Sequence, residues 1–145
     1  MGRHIPHRLH AFFSTMAAHV AEGNLDAQAD AFTWPLVIYL NGNVLIELTR
    51  AETLRSLALA QTSISVRGIE RVETHVAGHM GPLDDRFSVD VLWTYFKDLV
   101  AVAAGEVRYF GRFDANENVS IEMVEYQHVP FPELVTNLIS PGYDH

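Results

Sequence analysis

Apolar residues recur along this chain at two periods, helical near the start and strand-like over most of the rest. Leu9, Phe12, Phe13, Met16 and Val20 repeat every three or four positions, which predicts an amphipathic helix from Pro6 to Glu22. Pro6 suits its first turn and Gly23-Asn24 stops it. A shorter helix is expected over Leu25 to Ala31. Trp34 to Leu40 then reads as a strand, Asn41-Gly42 as a tight hairpin turn, and Val44 to Leu48 as the returning strand. Thr49-Arg50-Ala51-Glu52 is a capping box. It opens a helix with Leu54, Leu57, Ala58 and Gln61 on one face, expected to end near Gln61-Thr62.

From Ile64 to about Val129 the period becomes two. Val72, Thr74 and Val76 alternate with polar neighbours, as do Phe87, Val89, Val91, Trp93 and Tyr95. Val107, Tyr109 and Phe113 form a third apolar row, and Val119, Ile121 and Met123 a fourth. Gly78 to Asp85 and Asp114 to Asn118 read as turns, rich in Gly, Pro, Asp and Asn. Gly105 and Gly111, alone in strands, mark bends or bulges. Pro130-Phe131-Pro132 closes the sheet and starts a short helix with Leu134, Val135, Leu138 and Ile139. Helices segregated from antiparallel strands predict the α+β class. Strands of ten or so residues are longer than the usual five or six, so the sheet must curl around the helices and enclose a cavity.

Composition narrows the function more than the fold. The 145 residues suit one domain, 1–145, and 48% apolar with 19% charged is an ordinary globular balance. Cysteine is absent, which excludes disulfides, thiolate metal sites and cysteine nucleophiles and is compatible with a cytoplasmic location. A net charge of −8, with the ten Lys and Arg scattered singly, argues against nucleic acid as a partner. Met1 to Pro6 lacks a signal-peptide core, Pro6 stands where a myristoylation signal needs Ser or Thr, and no stretch is long enough to span a bilayer, so no membrane association is expected. Protonating the eight histidines in mild acid would cancel most of the net charge and lower solubility.

The order helix, helix, hairpin, helix, long strands resembles the NTF2-like superfamily, in particular its SnoaL-like branch. The residues that carry the resemblance are Ala31-Phe32-Thr33-Trp34-Pro35 with the Asn41-Gly42 hairpin, the capped helix after Thr49, and Tyr109-Phe110-Gly111-Arg112-Phe113-Asp114 leading to Ile121-Glu122-Met123-Val124-Glu125-Tyr126. The resemblance implies a cone of N-terminal helices packed on a strongly curved sheet, and a homodimer. It includes ketosteroid isomerases, polyketide cyclases, scytalone dehydratase and epoxide hydrolases, so it implies isomerase-, cyclase- or dehydratase-like chemistry without a cofactor. Isomerase-like members place a general-base Asp near the start of the first strand. Here that neighbourhood is Phe32-Thr33-Trp34-Pro35, with Asp30 earlier.

Glu125 is the candidate catalytic residue. Parity from Val119, Ile121 and Met123 puts it on an apolar row, where desolvation would raise its pKa and suit it to proton transfer; a bulge would reverse the parity and leave it on the surface. Trp34, Tyr39, Trp93, Tyr95, Tyr109 and Met123 are the candidate pocket, suited to a small apolar or aromatic molecule or simply filling the core. Asp90 lies on the opposite face and is expected to pair with Arg108 or Arg112. His75 and His79 sit roughly 13 Å apart on a strand and cannot share a metal. His4, His7 and His10, near the chain start, make a poor site, so no metal is expected. No Ser-His-Asp order, P-loop or dinucleotide fingerprint occurs, so no cofactor is expected. Two readings stand: a small-molecule enzyme or binding protein, and a non-catalytic dimerisation module using the outer sheet face and the C-terminal helix.

Overall fold

The computed structural model describes residues 4–139. The readings placed on Met1 to Arg3, and on the side chains of His4, Leu138 and Ile139, lie outside the described residues. Helix α1 spans His4–Glu22 and α2 Leu25–Ala29. Gly23 separates them at φ 71°, and Asn24 caps α2 by accepting from the Ala27 amide at 3.1 Å. Strands β1, Phe32–Leu40, and β2, Asn43–Glu47, form the expected hairpin, with Asn41 and Gly42 both at positive φ as a type I′ turn requires. Helix α3 covers Arg50–Val66. Its cap differs from a full box: Thr49 accepts from the Glu52 amide at 3.2 Å, but Glu52 reaches back to the Leu48 amide.

Strands β3, Arg71–Leu83, β4, Arg86–Lys97, β5, Val100–Phe113, and β6, Val119–His128, follow, and α4, Glu133–Ile139, ends the described chain. The six strands make one mixed, open sheet in the order β2-β1-β6-β5-β4-β3, parallel only between β1 and β6. This is the α+β architecture that the sequence pattern predicts. Two boundaries differ by more than two residues. The segment Ile64 to Val66 is β-branched enough to read as strand, yet it is the last turn of α3, because Ile64 packs into the core. Residues 78–83 continue β3 instead of turning, and the reversal is confined to Asp84-Asp85.

Interruptions in the pairing of β1 with β6, β3 with β4, β4 with β5 and β5 with β6 bend the sheet. The concave face carries Leu36, Ile38 and Leu40 of β1, Phe87 to Tyr95 in alternation on β4, and Val107, Tyr109 and Phe113 of β5. Helix α1 lies along β3 and sends Leu9, Phe13 and Met16 into this core, with Phe13 against Tyr109 at 4.7 Å between ring centres. Helix α3 touches α2, α4 and β2 but stands off the middle of the sheet. No helix among the described residues is long and apolar enough to cross a membrane.

Candidate functional site

Because α3 stands away from the strands, a cavity of about 130 Å³ opens between them. Trp93 and Tyr95 of β4, Tyr109 of β5 and Tyr126 of β6 form much of its floor, and Thr53, Ser56, Ala60 and Ile64 of α3 its roof. Phe131 and Leu134 close one side, with the Phe131 ring 4.9 Å from that of Tyr95. An ion pair fixes this closure: Arg67, at the end of α3, grips the Glu133 carboxylate with both terminal guanidinium nitrogens and covers Phe131 at 4.6 Å. The hydrogen bond from Arg67 holds the Glu133 carboxyl down at about 2.

The polar groups inside divide into spent and unspent. The Trp93 indole donates to the Tyr109 hydroxyl at 3.0 Å. Gln28 donates to Gln61 at 3.4 Å and to the His19 carbonyl at 3.3 Å, and Gln61 donates to the Val20 carbonyl at 3.1 Å. The Tyr95 and Tyr126 hydroxyls have no hydrogen-bond partner among the described residues. Burial raises the pKa of Tyr95, with the neighbouring Tyr126 adding to it. Tyr109 is raised by burial, then by Tyr126 and Tyr95, against the opposing hydrogen bond from Trp93. Tyr126 is pushed up to about 12 by burial and then by the nearby Glu47 carboxylate. All three phenols therefore remain proton donors at neutral pH. No Asp, Glu, His, Lys or Arg lines the cavity among the described residues.

The predicted site residues are split by this geometry. Trp93, Tyr95 and Tyr109 meet in the cavity. Glu125 does not: the β5–β6 register shifts between Phe110 and Gly111, so Glu122 is an extra residue and the parity reverses beyond it. Val124 and Tyr126 turn inward, while Met123 and Glu125 face outward. Glu125, 40% exposed, lies across from Arg108, whose guanidinium pairs with Asp90 at 2.7 Å. Tyr39 is 41% exposed because Leu36, Ile38 and Leu40 take the inward phase of β1. Trp34 lies outside the cavity lining and donates to Thr53 Oγ1 at 2.7 Å. Sequence reasoning missed Tyr126 for the same bulge. It also missed Glu47, which accepts from Thr53 at 2.7 Å and from Ser56. The available signal was its phase: Glu47 opposes Leu36, an inward residue. His75 and His79 lie along β3, and no metal-binding cluster occurs among the described residues.

No family model matches the chain, and no curated protein matches it. Solved structures do. An NTF-2 like protein of unknown function from Shewanella oneidensis MR-1 superimposes with a TM-score of 0.57 at 14% identity, covering 77% of this chain and 88% of its own. The fold is NTF2-like. A domain of unknown function with a cystatin-like fold from Nostoc punctiforme PCC 73102 covers 92% of this chain and 82% of its own, at 16% identity and a TM-score of 0.63. A putative calcium/calmodulin dependent protein kinase II association domain from Xanthomonas campestris covers 85% and 86%, at 14% identity and a TM-score of 0.59. The NTF2-like fold thus accounts for the curled sheet, the helices on its concave side and the cavity between them.

Proposed function

We propose that this NTF2-like chain binds a small, largely apolar, ring-sized molecule in its tyrosine-lined cavity. The observation that carries this reading is a mostly apolar cavity lined by Tyr95 and Tyr126, whose hydroxyls have no hydrogen-bond partner among the described residues. A cavity of about 130 Å³ is close to the roughly 150 Å³ of an apolar cavity that holds benzene. The two phenols would donate to an oxygen on the ligand. Among the described residues the lining supplies no cation to pair with an anionic ligand, so a neutral molecule fits best. Among the described residues it also supplies no carboxylate or imidazole, which favours binding over acid–base turnover. Native mass spectrometry of freshly purified protein, against the same sample denatured, tests this. A small adduct that disappears on denaturation is expected; a protein that stays empty after equilibration with millimolar benzene or toluene would refute it.

The outer sheet face favours a second property, self-association. Ile46, Val37, Met123, Phe110, Ser88 and Met80 oppose one another in register and form a mostly apolar row across the sheet. Beside it runs Asp90, Arg108 and Glu125, in which one cation lies between two acids. A second copy turned about a twofold axis would set its Arg108 against these acids. The likeness to a structure described as an association domain agrees with this reading. Sedimentation should show a dimer at micromolar concentration that Arg108→Glu dissociates; a monomeric native protein would end it.

A further inference from the structure

The cavity has a second polar pole, on the α3 side, and its polarity is set from behind. Glu47 ends β2 and opposes the inward Leu36. Its Oε1 accepts from Thr53 Oγ1 at 2.7 Å, and its Oε2 accepts from Ser56 Oγ. Thr53 and Ser56 are one turn apart on α3, and both line the cavity. A hydroxyl has one hydrogen and two lone pairs, and a carboxylate oxygen only accepts. Both hydroxyls have therefore given their hydrogens to Glu47. Thr53 Oγ1 also accepts from the Trp34 indole at 2.7 Å, which leaves it one lone pair against two on Ser56 Oγ. No described group donates to Ser56 Oγ. Ser56 lines the cavity, so its lone pairs are left for a donor there, and donation to a charged partner makes them richer in electrons.

Building on the binding reading above, we infer that Ser56, oriented by Glu47, recognises a hydrogen-bond donor on the ligand. The ligand class is then a small neutral ring that carries a hydroxyl, a phenol or its saturated counterpart, and the site discriminates against the corresponding ether. The cavity lining thus holds phenol donors on the sheet and an acceptor on α3, with Tyr126 near the same Glu47 carboxylate that orients Ser56. Glu47 does not line the cavity and acts through Ser56, so it is a positioning residue. Replacing it by Gln would supply an amide N–H to Ser56 Oγ and free the serine hydrogen to point inward, which reverses the pole.

The test is calorimetric titration of the full chain with phenol, with anisole, in which a methyl group replaces the donor hydrogen, and with toluene as the apolar reference. Phenol should bind about tenfold more tightly than anisole, the upper range of one net hydrogen bond. Ser56→Ala and Glu47→Gln should each reduce that ratio to about twofold or less while toluene affinity holds within about twofold, which shows that the cavity is intact. Equal binding of phenol and anisole by the native protein, or a preference that survives Ser56→Ala, would overturn the inference and leave the cavity reading standing. If none of the three binds, the cavity reading fails and the inference fails with it.

Discussion

Two tyrosines of the cavity look alike in sequence and should respond oppositely to loss of a hydroxyl. Tyr109 accepts the indole N–H of Trp93 at 3.0 Å, and both side chains are buried. Tyr109→Phe therefore leaves a buried donor without an acceptor, which costs about 1–3 kcal/mol. For a chain of this length that corresponds to a fall in Tm of about 4 °C per kcal/mol. The Tyr95 hydroxyl has no partner among the described residues, so Tyr95→Phe removes a polar atom from an apolar wall and strands nothing. Its stability should stay within about 0.5 kcal/mol of the native protein, or rise. Urea unfolding followed by far-ultraviolet circular dichroism resolves the difference, with equal m-values showing that both variants unfold from comparable native states. A Tyr95→Phe loss as large as that of Tyr109→Phe would refute the division into spent and unspent hydroxyls.

Three further outcomes follow from the same structure. Tyr95, Tyr109 and Tyr126 have folded pKa values raised above the unfolded value near 10, so their contribution is complete below pH 10 and is lost as pH rises through the folded values, about 12 for Tyr126. A spectrophotometric titration should show these phenols ionising together with loss of the circular dichroism signal; five freely titrating tyrosines in a folded chain would contradict it. Glu133 is lowered from 4.5 to about 2, so its contribution is present above 4.5 and disappears between there and about 2. Its side chain is 37% exposed, so screening reduces the effect, and Glu133→Gln should cost about 1 kcal/mol at neutral pH and nothing in strong acid, measured by urea midpoints. At Gly111 an added Cβ would collide with the Ser120 carbonyl oxygen, so Gly111→Ala should cost about 1–3 kcal/mol or more, whereas Gly78→Ala, with open space around it, should be close to neutral.

The inward row of β4 was legible in the sequence because its pairing with β5 is regular from Arg86 to Tyr95, so alternation carries Trp93 and Tyr95 to the cavity without interruption. Tyr109 was legible for the same reason. The last strand was not. One extra residue at the β6 bulge reverses everything after it, exchanging Glu125 for Val124 and Tyr126, and a period-two pattern contains no mark of such an insertion. Trp34 lies within the irregular stretch between Phe32 and Val37, which breaks its phase from that of Leu36. On α3 Leu57 and Gln61 of the expected face line the cavity, but Thr53, Ser56 and Ala60 join them in place of Leu54 and Ala58. The inward turn of Thr53 and Ser56 depends on Glu47 across the β2–α3 corner, a tertiary contact that helical periodicity cannot express.

The chain has two tryptophans, and this provides the most direct test of the cavity as a binding site. Trp93 lines the cavity and its indole N–H is bonded to Tyr109 there, while Trp34 does not line it and reaches it only through its bond to Thr53. In a nitrogen-15 correlation spectrum the two side chains give two separate indole signals, assigned by Trp34→Phe. Titration with phenol should move the Trp93 signal saturably and by more than that of Trp34. If the Trp93 signal stays in place, or both drift linearly without saturating, the cavity does not bind a ring and the account fails.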